Sequence, residues 1–476
     1  MYVSQLLSEY IKTKKINIKK CAEYFQIDRS TLYKIIRGER KIPNRDFIQQ
    51  ISQYLYLTND EKKELLNAYE IDRIGEFRYY CRQHVSFFLK EATLLDNRSF
   101  TTPDTLDSIL KTGHYTNKYD VEHLLYELSL LECKEKDPHI RILGQPTHAL
   151  YLLRIVSSHI PITHIFCLNN TNELTKDNQF YNLSVLTNIM PLIFNNDHYS
   201  PYYYYNEINA INNHLCFFPN MILTTKYLLI YTADHSSGIL YEKGETYDAY
   251  EILFNQYLKE TKCLITNKDE KSDVIEDFNC ILYAPPIGAV YQEDDPFPVF
   301  LEENVFVESF KKHSMYLKQF VKRNKDHLSG LYTLQGLRHF VDTGYTIDFP
   351  QPFYQPLTIN DRIKILRRLK NFINTYSINL VDVPEYDNMS FSVIIMNINT
   401  LYFQIVSASG TIKTIQLHEA SLVMAFNDYY QYILEERLLS KEDAFKIIDS
   451  YITQLEMLKE AVTNRQYEMT RRKQKK

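Results

Sequence analysis

The sequence predicts a multidomain chain: an N-terminal all-α domain of five helices, then a large mixed α/β (α+β) region. Three observations predict it. Through the first ninety or so residues the apolar positions recur almost entirely at helical spacing. After Asp96 short apolar runs bounded by polar turns alternate with helical stretches. The length of 476 residues, 45% hydrophobic and 24% charged, supplies apolar material for about three domains with cores of their own. The expected divisions are 1–75 for the helical domain, 76–97 for a helical connector, 98–298 for a mixed α/β effector region, and 299–476 for an α+β C-terminal region that is a candidate for dimerisation.

Each element follows from local pattern. Val3, Leu6, Leu7, Tyr10 and Ile11 form the apolar stripe of a helix from Val3 to Lys15. A short helix runs from Ile18 to Gln26, and another from Ser30 to Arg37, where Gly38 ends it. Pro43 and Asn44 open a fourth, with Phe47, Ile48, Ile51 and Leu55 on one face. The run Thr58-Asn59-Asp60-Glu61 is an N-cap signature for a fifth, facing inward through Leu65, Leu66 and Tyr69. The helical pattern continues through Tyr79 and Val85 to Lys90.

Beyond the connector, helices are expected at Asp120–Lys134, His148–His159, Tyr181–Phe194 and Tyr247–Lys259. Strands are expected at His139–Leu143 and Ile162–Leu168, with two or three antiparallel strands in Met221–Glu242. A charged segment at Asp269–Asp277 and an irregular zone from Pro285 to Pro298 follow. Helices near 302–323, 333–343 and 358–376 precede strands near 390–397, 400–407 and 411–416. Helices at 418–437 and 440–462 close the chain, and the basic tail from Arg471 to Lys476 is expected to fray.

Composition excludes several function classes. Seven cysteines stand singly, with no CxxC, so a disulfide framework is not expected and the thiols read as reduced. The N-terminus MYVSQLLSEYIKTKK has no apolar export core, and no run of about 18 apolar residues occurs, so a cytoplasmic protein with no membrane span is expected. Glycine is scarce, at 11 residues, so the loops that cradle phosphate have little material to form from. A net charge of −5 argues against coating nucleic acid along the whole chain; any basic partner surface must be local.

One such surface is written into "IKKCAEYFQIDRSTLYKIIRGERKIP" (Ile18–Pro43). Cys21, Ala22 and Phe25 fall on the inner side of its first helix, and Leu32 with Ile35 or Ile36 on that of the second. Arg29, Tyr33 and Arg37 lie four apart on the opposite face, with Ser30 and Lys34 beside them. From Tyr10 to Arg45 there are eleven Lys and Arg against three acidic residues, a local excess of eight positive charges. Long donors on one face of an apolar-anchored helix are what entry into the DNA major groove requires.

This segment, with the following "NRDFIQQISQYLYL", resembles the helix-turn-helix of the Cro/C1-type (lambda-repressor-like) bacterial regulators. The resemblance rests on Ala22 in the first helix, the Ser30-Thr31-Leu32 run opening the second and the Gly38-x-Arg40-x-x-Pro43 exit, and it covers about 70 residues. It departs from the pattern at the turn, where Gln26 stands at a position often Gly, at a cost of roughly 1 kcal/mol if the backbone there is left-handed. The resemblance implies a five-helix bundle that binds double-stranded DNA. It implies base-edge contacts from Arg29, Ser30, Tyr33 and Lys34 and phosphate contacts from Thr31, Arg37, Arg40 and Lys41.

The remaining four-fifths of the chain shows no catalytic signature. GxSxG, GxxxxGK[ST] and GxGxxG are all missing, and His139, His148, His159 and His164 match no standard zinc spacing. Asp, His and Ser in "ADHSSG" (Ala233–Gly238) read as a hairpin turn, since neighbours in sequence do not make a triad. "SPYYYYNEI" (Ser200–Ile208) reads as a Tyr-rich strand, Tyr202 and Tyr204 on one face and Tyr203 and Tyr205 on the other. Gln416–Glu436 is an amphipathic helix whose commoner role is core packing and whose other role is a dimer contact.

The expectation is a transcriptional regulator, no enzyme, with no catalytic residues, no metal and no cofactor. It works as a homodimer on DNA, with a small-molecule or peptide effector acting on the C-terminal region. The competing readings are a nuclease or hydrolase with a DNA-targeting head, and a helical protein-interaction module.

Overall fold

The computed structural model describes residues 2–94, 110–146, 160–169, 181–196, 198–206, 220–268, 329–344, 356–375, 377–383, 391–397, 400–406 and 412–473. The expected helices at 148–159 and 302–323, the charged segment 269–277 and the irregular zone 285–298 lie outside them. The chain is a multidomain α/β protein and divides into two compact units, one ending at His84 and the other beginning at Val85.

The first unit is helical: α1 (Tyr2–Thr13), α2 (Ile18–Tyr24), α3 (Arg29–Ile36), α4 (Arg45–Tyr54), α5 (Asn59–Ile74) and the beginning of α6 (Glu76–Leu94). Its core gathers Val3, Leu7, Ile11, Cys21, Ala22, Leu32, Ile35, Ile48, Ile51, Leu55, Leu65 and Ala68. Of the expected inner face of α5, Leu65 is buried and is joined there by Ala68, while Leu66 and Tyr69 pack at the rim. Side-chain caps start the helices. Asn17 accepts from the backbone N–H of Lys19, and Asn44 from that of Phe47. Thr58 and Glu61 form a reciprocal capping box, Thr58 N–H to Glu61 Oε2 at 2.7 Å and Glu61 N–H to Thr58 Oγ1 at 3.3 Å. Asp72 on α5 accepts from the N–H groups of Tyr2 and Val3, closing the open end of α1.

The helix ends are equally uniform. The residues just past α1, α2, α3 and α4 are Lys15, Gln26, Gly38 and Tyr56, at φ of 52°, 53°, 74° and 51°. Each is followed by an N–H that reaches five residues back: Ile16 to Ile11, Ile27 to Ala22, Glu39 to Lys34 and Leu57 to Ser52. This is the left-handed Schellman closure four times over, three times on a residue other than glycine. Ile16, Ile27 and Leu57, the residues after the turn, pack against the core and hold the closure in place.

The second unit begins inside α6. Val85, Phe88 and Leu89 are buried, and the Phe88 ring lies 5.5 Å from that of Phe403 and 5.6 Å from that of Phe426. The second half of the expected connector is therefore a core element, because its apolar residues find a sheet and a helix to pack on. The first sheet uses β1 (Gly113–Tyr115), β2 (Ile140–Leu143), β3 (Ile162–Asn169), β4 (Tyr199–Asn206), β5 (Asn220–Leu223), β6 (Tyr227–Tyr231), β7 (Gly238–Glu242) and β8 (Lys262–Cys263). Their order is β1-β7-β6-β5-β2-β3-β4-β8. Strands β2, β3 and β4 are parallel and the other pairings antiparallel. Helices α7 (Lys118–Glu132), α8 (Tyr181–Asn195) and α9 (Glu245–Glu260) accompany it.

A second sheet is antiparallel: β12 (Phe391–Asn397), β13 (Thr400–Val406), β14 (Ile412–Leu417) and, from far upstream, β9 (Ile265–Lys268). The division expected at 298/299 thus does not separate two units, since one sheet draws strands from both sides of it. The short parallel pair β10 (Ser329–Thr333) and β11 (Ser377–Val381) lies beside α10 (Leu334–Thr343) and α11 (Ile359–Thr375). Then come α12 (Ala420–Arg437) and α13 (Lys441–Lys473), the latter eleven residues longer at its C-terminal end than expected and helical into the expected frayed tail.

Several buried polar groups in this unit find partners. His164 on β3 is fully buried, with Nδ1 2.8 Å from the Tyr199 hydroxyl and Nε2 2.9 Å from the Gly144 carbonyl. Burial lowers its pKa to about 4, so the ring is neutral, donating from Nε2 and accepting at Nδ1. The Tyr-rich strand packs as the alternation implies, with Tyr203 Oη donating to the His418 carbonyl and Tyr205 Oη to Glu419. Glu419, buried at the N-cap of α12, also accepts from Ser421 and from the Leu422 N–H. Ala233–Gly238 is the β6–β7 turn, its Asp234 carboxylate accepting from Thr232 Oγ1 and Ser236 N–H. The amphipathic helix α12 buries Leu422, Ala425, Phe426, Tyr429, Tyr430 and Ile433 within this unit, the core role of the two expected for it.

Candidate nucleic-acid interface

The exposed face of α3 is built by its buried one. Leu32, Ile35 and Ile36 are held in the core, so the positions between them must point outward. Arg29, Ser30, Lys34 and Arg37 are exposed there, with Thr31 and Tyr33 half-buried. Arg40 and Lys41 are exposed in the exit segment that follows. All eight expected contact residues thus lie on α3 or just beyond it.

Two of these groupings are held together by direct contact. The Arg29 guanidinium carbon lies 5.4 Å from the centroid of the Tyr33 ring, and that of Arg37 lies 5.8 Å from the same centroid. Arg29 Nη2 also donates to Tyr33 Oη at 3.4 Å. One phenol ring, itself half-buried, is thus the platform for two cations a helical turn apart on either side. Arg40 Nη1 donates to Thr31 Oγ1 at 3.4 Å, drawing the exit segment back to the first turn of α3. Arg37 has a distant carboxylate neighbour, Glu39 at 4.0 Å, with both side chains largely exposed. Ser30, Lys34 and Lys41 extend outward with no carboxylate partner among the described residues.

Asp28 stands at the N-cap of α3 but makes no side-chain hydrogen bond to it, unlike Asn17, Asn44 and Thr58 on the neighbouring helices. The leading N–H groups of α3 therefore lack a side-chain hydrogen bond, while the Asp28 carboxylate still sets one negative charge against the positive end of the dipole. An open groove of about 490 Å³ beside the other end of α3 is lined by Ser4, Gln5, Ser8, Glu9, Lys12, Thr13, Ile36 and Arg37.

Sequence reasoning counted two charges that the fold spends elsewhere. Lys14 pairs with Glu61 at 3.0 Å, and Arg45 faces Glu70 at 4.0 Å, so both are bound to α5. Neither partner is near in sequence, which is why a local count missed the pairing. It also missed Tyr33 as a platform and Thr31 as a tether, although the spacing of four between Arg29, Tyr33 and Arg37 was the signal for the former. Gln26, the departure at the turn, does sit in the left-handed region.

Elsewhere, among the described residues, no group of three or more His, Cys, Asp or Glu is placed to hold a metal ion. His139 and His164 lie apart from any such group, and His148 and His159 lie outside the described residues. No helix among the described residues is long and apolar enough to cross a membrane.

No family model matches the chain, and no curated protein matches it. Among solved structures it is similar to TrmBL2, described as an archaeal chromatin protein whose structure shows a novel mode of DNA binding, at 10% identity and a TM-score of 0.22. That match covers 41% of this chain, which spans 63% of the length of the chromatin protein. It is also similar to a phosphatidylserine synthase of Haemophilus influenzae Rd KW20, at 10% identity and a TM-score of 0.25, covering 78% of this chain and 99% of that one. At TM-scores this low neither likeness assigns a fold or an activity to the chain.

Proposed function

We propose that the chain is a sequence-specific DNA-binding transcriptional regulator of the Cro/C1 helix-turn-helix type and that it is not an enzyme. In this reading α1–α5 form the five-helix DNA-binding domain, α2 and α3 are the helix-turn-helix, and α3 is the recognition helix. Arg29, Ser30, Tyr33 and Lys34 meet base edges in the major groove, and Thr31, Arg37, Arg40 and Lys41 meet phosphates. Two copies bind a two-part operator in double-stranded DNA, the half-sites about one helical turn apart or a multiple of it. The second unit senses a small-molecule or peptide effector or assembles the dimer, and the protein works in the cytoplasm without a cofactor.

The observation that carries the reading is the stack of Arg29 and Arg37 on Tyr33, on a helix whose other face is locked in the core. Cations already placed along a groove-sized helix need less ordering on contact with DNA than free ones would. A solvated face has no need of such a platform.

The test is an electrophoretic shift of genomic fragments by the purified full chain, read across salt. The Arg29→Ala/Lys34→Ala double variant is expected to lose its preference for the selected fragment, by about 10- to 100-fold or more, at roughly 1–3 kcal/mol for a bidentate base contact. Arg40→Ala is expected to weaken all sequences alike and to reduce the salt slope by about one. Selective binding that survives the double variant unchanged removes α3 as the reading element. Metal-dependent strand cleavage by the same preparation would move the reading to an enzyme with a DNA-targeting head.

A further inference from the structure

Arg29 is the first residue of α3, and the leading residues of a recognition helix stand nearest the base edges. It is exposed, and its hydrogen bond and its ring contact are both with Tyr33, one turn on. The guanidinium carbon lies 5.4 Å from the ring centroid, and Oη accepts from Nη2 at 3.4 Å. These two contacts restrict where the guanidinium sits. Tyr33 is itself half-buried, on a helix anchored by Leu32, Ile35 and Ile36.

The donors left over select a base. A guanidinium carries its N–H groups in a planar fork. Tyr33 takes one of the two hydrogens on Nη2. The other stays free beside the pair on Nη1, and no carboxylate pairs with Arg29 among the described residues, whereas Arg37 has Glu39 at 4.0 Å. Two parallel N–H groups suit two acceptors side by side. On the major-groove edge only guanine offers that, at O6 and N7. Adenine sets a donor beside its acceptor, thymine a methyl beside its acceptor, and cytosine presents a donor. A phosphate also fits the fork, so position decides between the two. Arg29 and Arg37 stand about two turns apart, roughly 12 Å along the helix axis. The major groove is about 12 Å wide. With the leading turn of α3 among the bases, Arg37 reaches the rim where the phosphates lie, and Arg29 stays over base edges.

We propose that Arg29 reads a guanine, with two N–H groups on its O6 and N7, and that Tyr33 is the positioning residue that aims the guanidinium. This assignment rests on DNA binding through α3 and adds to it the base that is read. The preference is confined to one base pair of a half-site and is blind to the minor groove. Lys34, a point charge with freely turning donors, imposes no such choice.

The duplex that the purified full chain selects from genomic fragments is resynthesised with 7-deazaguanine or inosine in place of each guanine in turn. The first lacks N7, and the second lacks only the minor-groove amino group. At one guanine of the half-site, 7-deazaguanine is expected to weaken binding about tenfold, and inosine less than about twofold. Competition among the four base pairs at that position is expected to favour guanine about 10- to 100-fold for the wild type and less than about threefold for Arg29→Ala, with the preferences at other positions kept. Tyr33→Leu is expected to lower the preference at the same base pair alone, and Tyr33→Phe to lower it less. A chain that selects no fragment fails the functional reading, and the guanine assignment falls with it. Selective binding that 7-deazaguanine nowhere weakens leaves that reading standing and overturns the assignment. So does an Arg29→Ala variant that weakens all duplexes alike and lowers the salt slope by about one, the mark of a phosphate contact.

Discussion

Tyr33 shows how a single residue changes the worth of its neighbours. A free arginine on a helix surface samples many rotamers, and ordering one costs roughly 0.5–1.5 kcal/mol on binding. The Tyr33 ring removes part of that cost for Arg29 and Arg37 together. Tyr33→Leu is therefore expected to lower affinity for the selected DNA roughly tenfold with the fold intact, while Tyr33→Phe, which keeps the platform and loses only the 3.4 Å hydrogen bond, stays within about threefold. Fluorescence anisotropy with a labelled operator reads both. Gln26 and Tyr56 are the opposite case, residues that pay for their place. Each holds a left-handed backbone that glycine adopts without strain, so Gln26→Gly and Tyr56→Gly are each expected to raise stability by about 0.5–1 kcal/mol in urea denaturation. Gln26 as the departure at the turn was legible in sequence, because the resemblance places it at a position that is often glycine. The same conformation at Lys15 and Tyr56 was not, since neither residue type signals a positive φ.

At the scale of elements, what could be read from sequence was what neighbours along the chain decide. Helix α5 begins where Thr58 and Glu61 said it would, and α3 ends at Gly38. Thr58→Ala removes one half of the capping box and is expected to cost about 1 kcal/mol, seen as a lower urea midpoint at unchanged slope. The β5–β6–β7 meander was legible for the same reason, its strands being joined by short turns. Strands β1, β8, β10 and β11 were not. They are two to five residues long, and each exists only because a distant strand supplies its hydrogen bonds: β1 from β7, β8 from β4, and β10 and β11 from each other. Likewise α6 reads as a connector until Phe403 and Phe426 are placed against Phe88. The candidate site divides along the same line. Its exposed cations follow from spacing on one helix, whereas the loss of Lys14 and Arg45 to α5 follows from tertiary packing.

For the molecule as a whole, buried neutral histidines set acid against the fold. His164 has a folded pKa of about 4 against an ordinary value near 6.5. Between those values the unfolded chain binds a proton that the folded one does not, so stability is full above about pH 6.5 and falls as pH drops toward 4. The loss from this one residue is on the order of 3 kcal/mol. Burial lowers His84, His235 and His339 in the same direction, and their contributions fall in the same sense. Urea midpoints measured from pH 8 to pH 4.5 are expected to fall, and His164→Gln to flatten the acid limb. A midpoint that holds or rises on acidification contradicts the buried neutral imidazole.

Strand β9 carries one more consequence, which concerns time. Its partner β14 stands roughly 150 residues further along the chain. At about 5–20 residues per second, β9 leaves the ribosome something like 8–30 s before β14 exists to receive it. Throughout that interval a short strand beside the large sheet waits with its backbone donors and acceptors unmatched by their final partners. A message broken before codon 412 would leave it so for good, and such fragments are expected to be found in aggregates or with chaperones, however well their first helices are made.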